Sequence, residues 1–246
     1  MQVYADYHTH TTYSHGRGSI EENVEAALKR GLEAVGITDH GPGHFFIGVC
    51  GLPALRKMQR EIVRLRKKYL QIKILFGIEA NIIDTDGTID VPLQILPELD
   101  ILLVGFHKLV KPRSAKALLL GAGNMMAGGC GLRPKLLRAL NTRAICLAVQ
   151  RYPVYAITHP GLQVDIDTAE LAAVCARRGT LFEINSSYGK ELDGFIKTAL
   201  PAGVNFVVNS DAHTPERVGD FQEACRLIER LQVPPERVVN LRTNRL

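Results

Sequence analysis

Seven short apolar runs, separated by longer stretches of helical pattern, constrain this chain more than any other feature. The runs cover residues 3–7, 34–38, 72–78, 101–106, 154–158, 180–184 and 205–208. They are rich in Val, Ile, Leu and Phe and apolar on both faces, as strands are in a parallel sheet covered by helices. Between them, Ser19-Ile20-Glu21-Glu22 reads as a capping box opening a helix to about Arg30, with Gly31 stopping it. Further helices are predicted over 53–69, 134–150, 168–178 (stopped by Gly179), 190–200 and 214–231, the last with Pro215 in its first turn. A β-α order repeated about seven times implies an open doubly wound sheet or a closed β/α barrel. The stretch 118–131 is set apart by five glycines and two methionines. It reads as a lid, as a loop leading into a helix, or as packing of small residues.

Composition narrows the class. With 46% hydrophobic and 22% charged residues over 246 positions, the chain is too apolar for disorder and long enough for a large core. A single domain spanning 1–246 is expected, because barrels use this length as one unit. No apolar run reaches the ~18 residues needed to span a bilayer. The start, Met1-Gln2-Val3-Tyr4-Ala5-Asp6, has no signal-peptide pattern. Cys50, Cys130, Cys146, Cys175 and Cys225 are odd in number and lack a C-x-x-C pair, which favours a reducing, cytoplasmic setting over a thiolate zinc site. A net charge of +5 is a mild bias that suits a small anionic substrate. The densest basic run, Arg56 to Lys68, has Leu55, Met58, Ile62 and Leu65 at helical spacing and reads as a solvated helix face over a core stripe.

Where the histidines fall is more telling. His8, His10 and His15 follow the first run, His40 the second, His107 the fourth, His159 the fifth and His213 the seventh. Glu79 closes the third run and Asp211 follows the seventh. Parallel strands bring their C-terminal ends to one rim, where ligands bind in such folds. Seven imidazoles and two carboxylates would then converge. That is a ligand set for Zn, Mn or Fe, and with one bridging carboxylate it suits two or three ions. Alternation points His8 and His10 to one side of their strand. Without metal, so many packed rings would leave unpaired nitrogens. His44, four residues past His40, reads as an ordinary polar residue near the mouth.

These residues resemble the PHP family, named for polymerase and histidinol phosphatase domains. The likeness runs nearly the full length: the H-x-H start (His8, His10), Thr38-Asp39-His40, Gly77-Ile78-Glu79, His107, His159-Pro160 and Ser210-Asp211-Ala212-His213. It is greatest to small standalone members with a distorted (β/α)7 TIM-like barrel and three metals. The resemblance implies a first metal on His8, His10, Glu79 and Asp211. It implies a second on Glu79, His107 and His159, and a third on His15, His40 and His213. It also implies phosphoester hydrolysis with three divalent ions, Zn or Mn, with Fe as a further choice. A metal-bridging hydroxide held by Glu79, Asp211 and His213 would attack phosphorus. No Gly-x-Ser-x-Gly elbow or activated Cys is evident.

Asp39 either accepts an imidazole N–H or bonds to backbone, and Asn185 either reaches the site or caps a turn. Arg17, Lys108, Arg113, Arg133 and Lys190 are the basic residues near the rim, of which one or two would hold a phosphate. The leading expectation is a phosphatase acting on small phosphomonoesters. The alternatives are a phosphodiesterase or exonuclease on short single-stranded nucleic acid, and a histidinol-phosphate phosphatase. Aromatics at 6% and the absence of Trp argue against a base-stacking track. A metal-stabilised, non-enzymatic partner domain is a further reading, which the complete ligand set disfavours. Oligomeric state is not legible.

Overall fold

The computed structural model describes residues 1–130 and 134–242. Its strands are β1 (Gln2–Val3), β2 (Ala5–Thr9), β3 (Ala34–Ile37), β4 (Lys73–Asn81), β5 (Ile101–Gly105), β6 (Ala156–Ile157), β7 (Leu181–Asn185), β8 (Phe206–Asn209) and β9 (Leu241–Arg242). The α-helices are α1 (Ile20–Lys29), α2 (Gly51–Lys68), α3 (Ala115–Cys130), α4 (Lys135–Arg151), α5 (Thr168–Arg178), α6 (Asp193–Ala199) and α7 (Gln222–Leu231). Strands β2 to β8 form one seven-stranded parallel sheet in sequential order, curled into a nearly closed barrel. All seven predicted runs are strands here, within a few residues at each end.

Several helix limits follow from the local chemistry read in the sequence. Ser19 accepts from the Glu22 N–H, and the Glu22 carboxylate accepts from the Ser19 N–H in return, closing the capping box of α1. Gly179 ends α5 in the left-handed region at φ 71°. Helix α2 buries Leu55, Met58, Ile62 and Leu65. Part of its basic face is paired: Arg56 with Glu98 at 2.6 Å, Lys68 with Glu21 at 2.6 Å, and Arg66 with Asp100.

One open choice is resolved and two expectations are corrected. Gly131 lies outside the described residues; of the readings left for the stretch 118–131, packing fits, since α3 is helical from 115 to 130. Its Ala117, Leu120 and Asn124 share one buried face, and Asn124 and Asn141 exchange amide hydrogen bonds of 2.9 and 2.8 Å with α4. Packing there overrides the ~1 kcal/mol that each interior glycine costs a helix. The helix predicted over 214–231 is broken: a single 3₁₀ turn, Pro215–Arg217, precedes α7. Between them Gly219 takes φ 74° so that its N–H can reach the buried Asp6 carboxylate at 2.8 Å. The helix predicted over 190–200 is split into 3₁₀ turns flanking the short α6.

The barrel interior is layered. Leu75, Ile101, Leu103, Ala156, Leu181 and Val207 form an apolar cluster, with Tyr7 and Tyr155 packed against it. Two, four or six residues further along the same strand faces stand Glu79, Asn81, Glu183, Asn185 and Asn209, all buried. The lower barrel is therefore a dry plug, and the C-terminal rim is a polar floor. A larger core lies between the barrel and its helices.

The seam between β2 and β8 is closed largely by side chains. At one end Asn240 donates to Ala5 O (2.8 Å) and Val208 O (2.7 Å) and accepts from Val208 N (2.9 Å). Midway the Tyr7 N–H donates to Asn209 Oδ1 at 2.9 Å, and at the rim Thr9 bridges Ala212. Asn240→Ala would strip three buried backbone groups of partners. A loss of about 2–4 kcal/mol in urea unfolding is expected. A change under about 0.5 kcal/mol, the size of a neutral surface substitution, would show that the seam does not depend on this amide.

Candidate metal centre

The rim gathers the histidines around one carboxylate. Glu79 lies near the end of β4, bridged to His40 from the loop after β3. Its Oε2 is 2.8 Å from His40 Nδ1, 3.4 Å from His8 Nε2 and 3.7 Å from His10 Nε2. Its Oε1 is 3.0 Å from His159 Nε2 and 3.3 Å from His107 Nε2, and accepts the Thr158 hydroxyl at 2.7 Å. The two oxygens thus face two different sets of rings.

The first set is His8, His10, Asp211 and Glu79 Oε2. His8 Nε2 lies 3.1 Å from His10 Nε2 and 3.5 Å from Asp211 Oδ1, and His10 Nε2 lies 3.1 Å from that oxygen. The second set is His107, His159 and Glu79 Oε1, with the two Nε2 atoms 3.2 Å apart. Bonds of 2.0–2.1 Å in tetrahedral array put donor atoms roughly 3.3 Å apart. Both sets match that spacing. Donor atoms of His10, His40 and His213 form a third group, and those of His40, Glu79 and His107 another, so His40 stands between them. His15 brings its ring centroid to 5.0 Å from that of His40 and 4.2 Å from that of His213.

Burial and charge prepare these atoms for cations. His40 Nδ1 and Glu79 Oε2 are buried and close but out of line, so neither has a hydrogen bond; His10 Nδ1 also has none. Such orphaned buried atoms are costly unless something else binds them. Burial lowers the pKa of His10 to about 4 and of His40 to about 3, and partial desolvation with the His213 and His40 rings lowers that of the more exposed His15 to about 4, leaving all three neutral, the metal-binding form, near pH 7. Burial would raise Glu79, but His107, His8 and His40 outweigh it and hold the carboxyl well below its usual range. Asp211 is likewise held low, burial being overcome by His8 and His10. Burial lowers and Glu183, Asp211 and Glu79 raise the His8 pKa, with a net rise. His159 and Asp211 sit at φ 30° and 54°, strained backbone of the kind that clusters at working sites.

A second layer orients the rings, and the sequence reading missed most of it. Glu183 accepts from His8 Nδ1 at 2.6 Å, from the His159 N–H at 2.8 Å and from Asn209 at 2.9 Å. Asn81 accepts from His107 Nδ1 at 2.7 Å and is itself held by Asp90. The clue was available: a charged residue inside the run 180–184, and an amide two residues past Glu79 on the same strand face. Asn185 donates to Glu183 (3.0 Å) and Asp211 (3.1 Å), so it reaches the site.

Asp39 instead accepts from the Thr11 N–H and the Thr11 and Ser14 hydroxyls. It braces the loop carrying His15 and does not contact an imidazole. That loop folds tightly over His10: a Cβ on Gly16 would lie 2.6 Å from the His10 carbonyl. Arg17 is exposed beside this loop and its N–H donates to His213 O at 2.8 Å. Lys108 follows His107 but its amine lies over Gly128 of α3, where a Cβ would come within 2.8 Å. Arg113 is engaged with Thr88, and Lys190 is exposed. Arg133 lies outside the described residues. His44 stands at the mouth, 6.0 Å from the His40 ring, its Nδ1 accepting from the Phe46 and Ile47 N–H groups.

The PHP domain family matches residues 6–159, a span holding seven of the nine candidate ligands, all but Asp211 and His213. The chain belongs to the PHP domain family. Similar proteins extend this over nearly the whole length. A probable phosphatase of Shewanella sediminis is 32% identical, the match covering 98% of this chain and 90% of the relative. A probable phosphatase of Caldanaerobacter subterraneus is 33% identical, with 98% and 88% covered. Among solved structures, histidinol phosphate phosphatase from Lactococcus lactis, complexed with zinc, L-histidinol and phosphate, superposes with a TM-score of 0.59 at 15% identity, covering 93% of each chain. That likeness supports the barrel fold. This PHP protein is therefore homologous to probable phosphatases and carries His, Asp and Glu clusters spaced for metal ions.

Glu183 gives the geometry a direct test. Glu183→Gln removes the charge behind His8 while keeping its size, and metal affinity is expected to fall 10- to 100-fold. Calorimetric titration of the metal-free protein with zinc would show it. Unchanged affinity would mean that His8 needs no such partner.

Proposed function

We propose that this protein is a metal-dependent phosphatase hydrolysing small phosphomonoesters at a trinuclear centre, residues 1–246 acting as a single domain. The observation that carries the reading is the split engagement of Glu79, with one oxygen among His8, His10 and Asp211 and the other between His107 and His159. His8, His10, Glu79 and Asp211 would hold one ion, Glu79, His107 and His159 a second, and His15, His40 and His213 a third. Zinc or manganese suits these donors, and iron is compatible with them. Divalent ions bound there lower the pKa of water toward ~7 and offset charge on a phosphoryl group.

The chain's own groups do the rest. Glu79 and Asp211 stay ionised and balance the cations, while Glu183 and Asn81 fix the tautomers of His8 and His107. Arg17, an exposed residue whose backbone N–H is tied to His213 O, would meet phosphate oxygens from the solvent side. Two observations favour a small substrate over nucleic acid. Four of the seven basic residues of α2, Arg56, Arg64, Arg66 and Lys68, are held in ion pairs, and among the described residues the exposed aromatics Phe45 and Phe46 lie outside that helix. Among the described residues no helix is long and apolar enough to cross a membrane. The five cysteines are free thiols, in keeping with a cytoplasmic setting.

The test compares manganese- or zinc-loaded protein on a terminal phosphomonoester and on a short single-stranded oligonucleotide lacking a terminal phosphate. Phosphate release from the monoester is expected, and mononucleotides from the oligonucleotide would replace this reading with a nuclease. His8→Ala and Asp211→Ala should each lower kcat/KM by more than about 100-fold, beyond the effect of losing an orienting partner. Full activity and full metal content in both variants would overturn the assignment.

A further inference from the structure

Beside the metal centre lies an apolar cavity of about 220 Å³, and His107 and Lys108 belong to its wall. One side is a short two-stranded arm. His44 bridges Val110, the Phe45 N–H donates to Leu109 O at 3.0 Å, and the Lys111 N–H donates to Gly43 O at 2.7 Å. The other side is α3, through Leu118, Leu120, Gly121 and Met125, with Ile82 and Phe106 at the base. Two of the polar side chains in the wall are occupied. Asn124 is paired with Asn141, and Asp84 accepts from the Thr85 N–H and the Ser114 hydroxyl. Apolar side chains also surround the opening: Phe45, Leu118 and Met125 are 60%, 58% and 51% exposed, yet all three line the cavity.

Resting on the phosphatase reading, we infer that this cavity binds the leaving group of the substrate, which is therefore a phosphomonoester of an apolar alcohol: an alkyl chain or ring of about six carbons. Three observations meet here. The cavity shares His107 with the second ligand set, so the leaving group of a phosphate held by that set would have the arm and α3 as its neighbours. Its volume exceeds the ~150 Å³ apolar cavity that accepts a benzene ring. And the exposed Phe45, Leu118 and Met125 are what a site for an apolar group leaves in water when empty, since such side chains gather on a surface where something apolar docks. Continuity with the ligand set favours the substrate itself as the occupant over a second protein chain.

The position of Gly121 allows a clean test. A Cβ there meets no atom within 4 Å, its φ is ordinary for a helix, and it faces the cavity. Gly121→Phe therefore fills the space without disturbing the core, and a glycine leaves the helix. Phe45→Ala, at the exposed rim, is the second variant. Manganese-loaded wild type and both variants are titrated calorimetrically with ethyl- to hexylphosphonate, which cannot be hydrolysed, and assayed on ethyl to hexyl phosphate, whose leaving groups differ little in acidity.

The expected result is tightening of about three- to fourfold per added methylene in the wild type, in both affinity and kcat/KM. Gly121→Phe should flatten the series and leave the ethyl compounds within about twofold; Phe45→Ala should weaken only the longer ones. Hydrolysis with a flat series in the wild type overturns the cavity assignment and leaves the phosphatase reading intact. So does a flat series accompanied by dimerisation that Phe45→Ala abolishes, which would give the patch to a second copy. Length-dependent binding without hydrolysis of any ester would support the cavity and overturn the phosphatase reading.

Discussion

One buried carboxylate organises the rim. Glu79 has no access to solvent and lies within 4 Å of five imidazoles, from His8, His10, His40, His107 and His159. A buried anion is tolerated only when paired, and here the pairing is distributed over four strand ends. If the rings stay neutral, their lone pairs and the carboxylate oxygens all point at common space. Cations resolve that conflict. The fold reads as a device for keeping this arrangement dry from below, with an apolar plug of Leu75, Leu103, Ala156, Leu181 and Val207 underneath.

Orientation comes from a layer one step further out. Glu183 spans His8 and the backbone of His159, so the two candidate ligand sets share one support as well as the Glu79 carboxylate. Asn81 and Asp90 do the same for His107. Asp6, buried next to the H-x-H segment, binds Ser210 and Gly219 and thereby sets the strand end that carries Asp211. Movement of any strand end is thus resisted by partners on another strand.

Much of this was legible before any coordinates. Strand runs show as apolar segments because both faces are covered, and the candidate ligands show because they follow those segments. The capping box of α1 and the glycine stop of α5 are local chemistry and were read directly. What escaped reading depends on tertiary contact. Helix α3 forms despite its glycines because Asn124 pairs with Asn141 seventeen residues away. The break before α7 exists because Gly219 serves Asp6 across the whole chain. Glu183 looked like part of a strand; only the barrel brings it beneath His8. Asp39 has no imidazole to serve because the loop at Thr11 and Ser14 takes its oxygens first.

The central claim is that Glu79 is shared between two metal ions. Metal content after exhaustive dialysis, measured by mass spectrometry for wild type and Glu79→Gln with folding checked by circular dichroism, tests it most directly. The account predicts more than one equivalent in the wild type and the joint loss of two in the variant. Loss of a single equivalent, or of none, in a folded Glu79→Gln protein would contradict it.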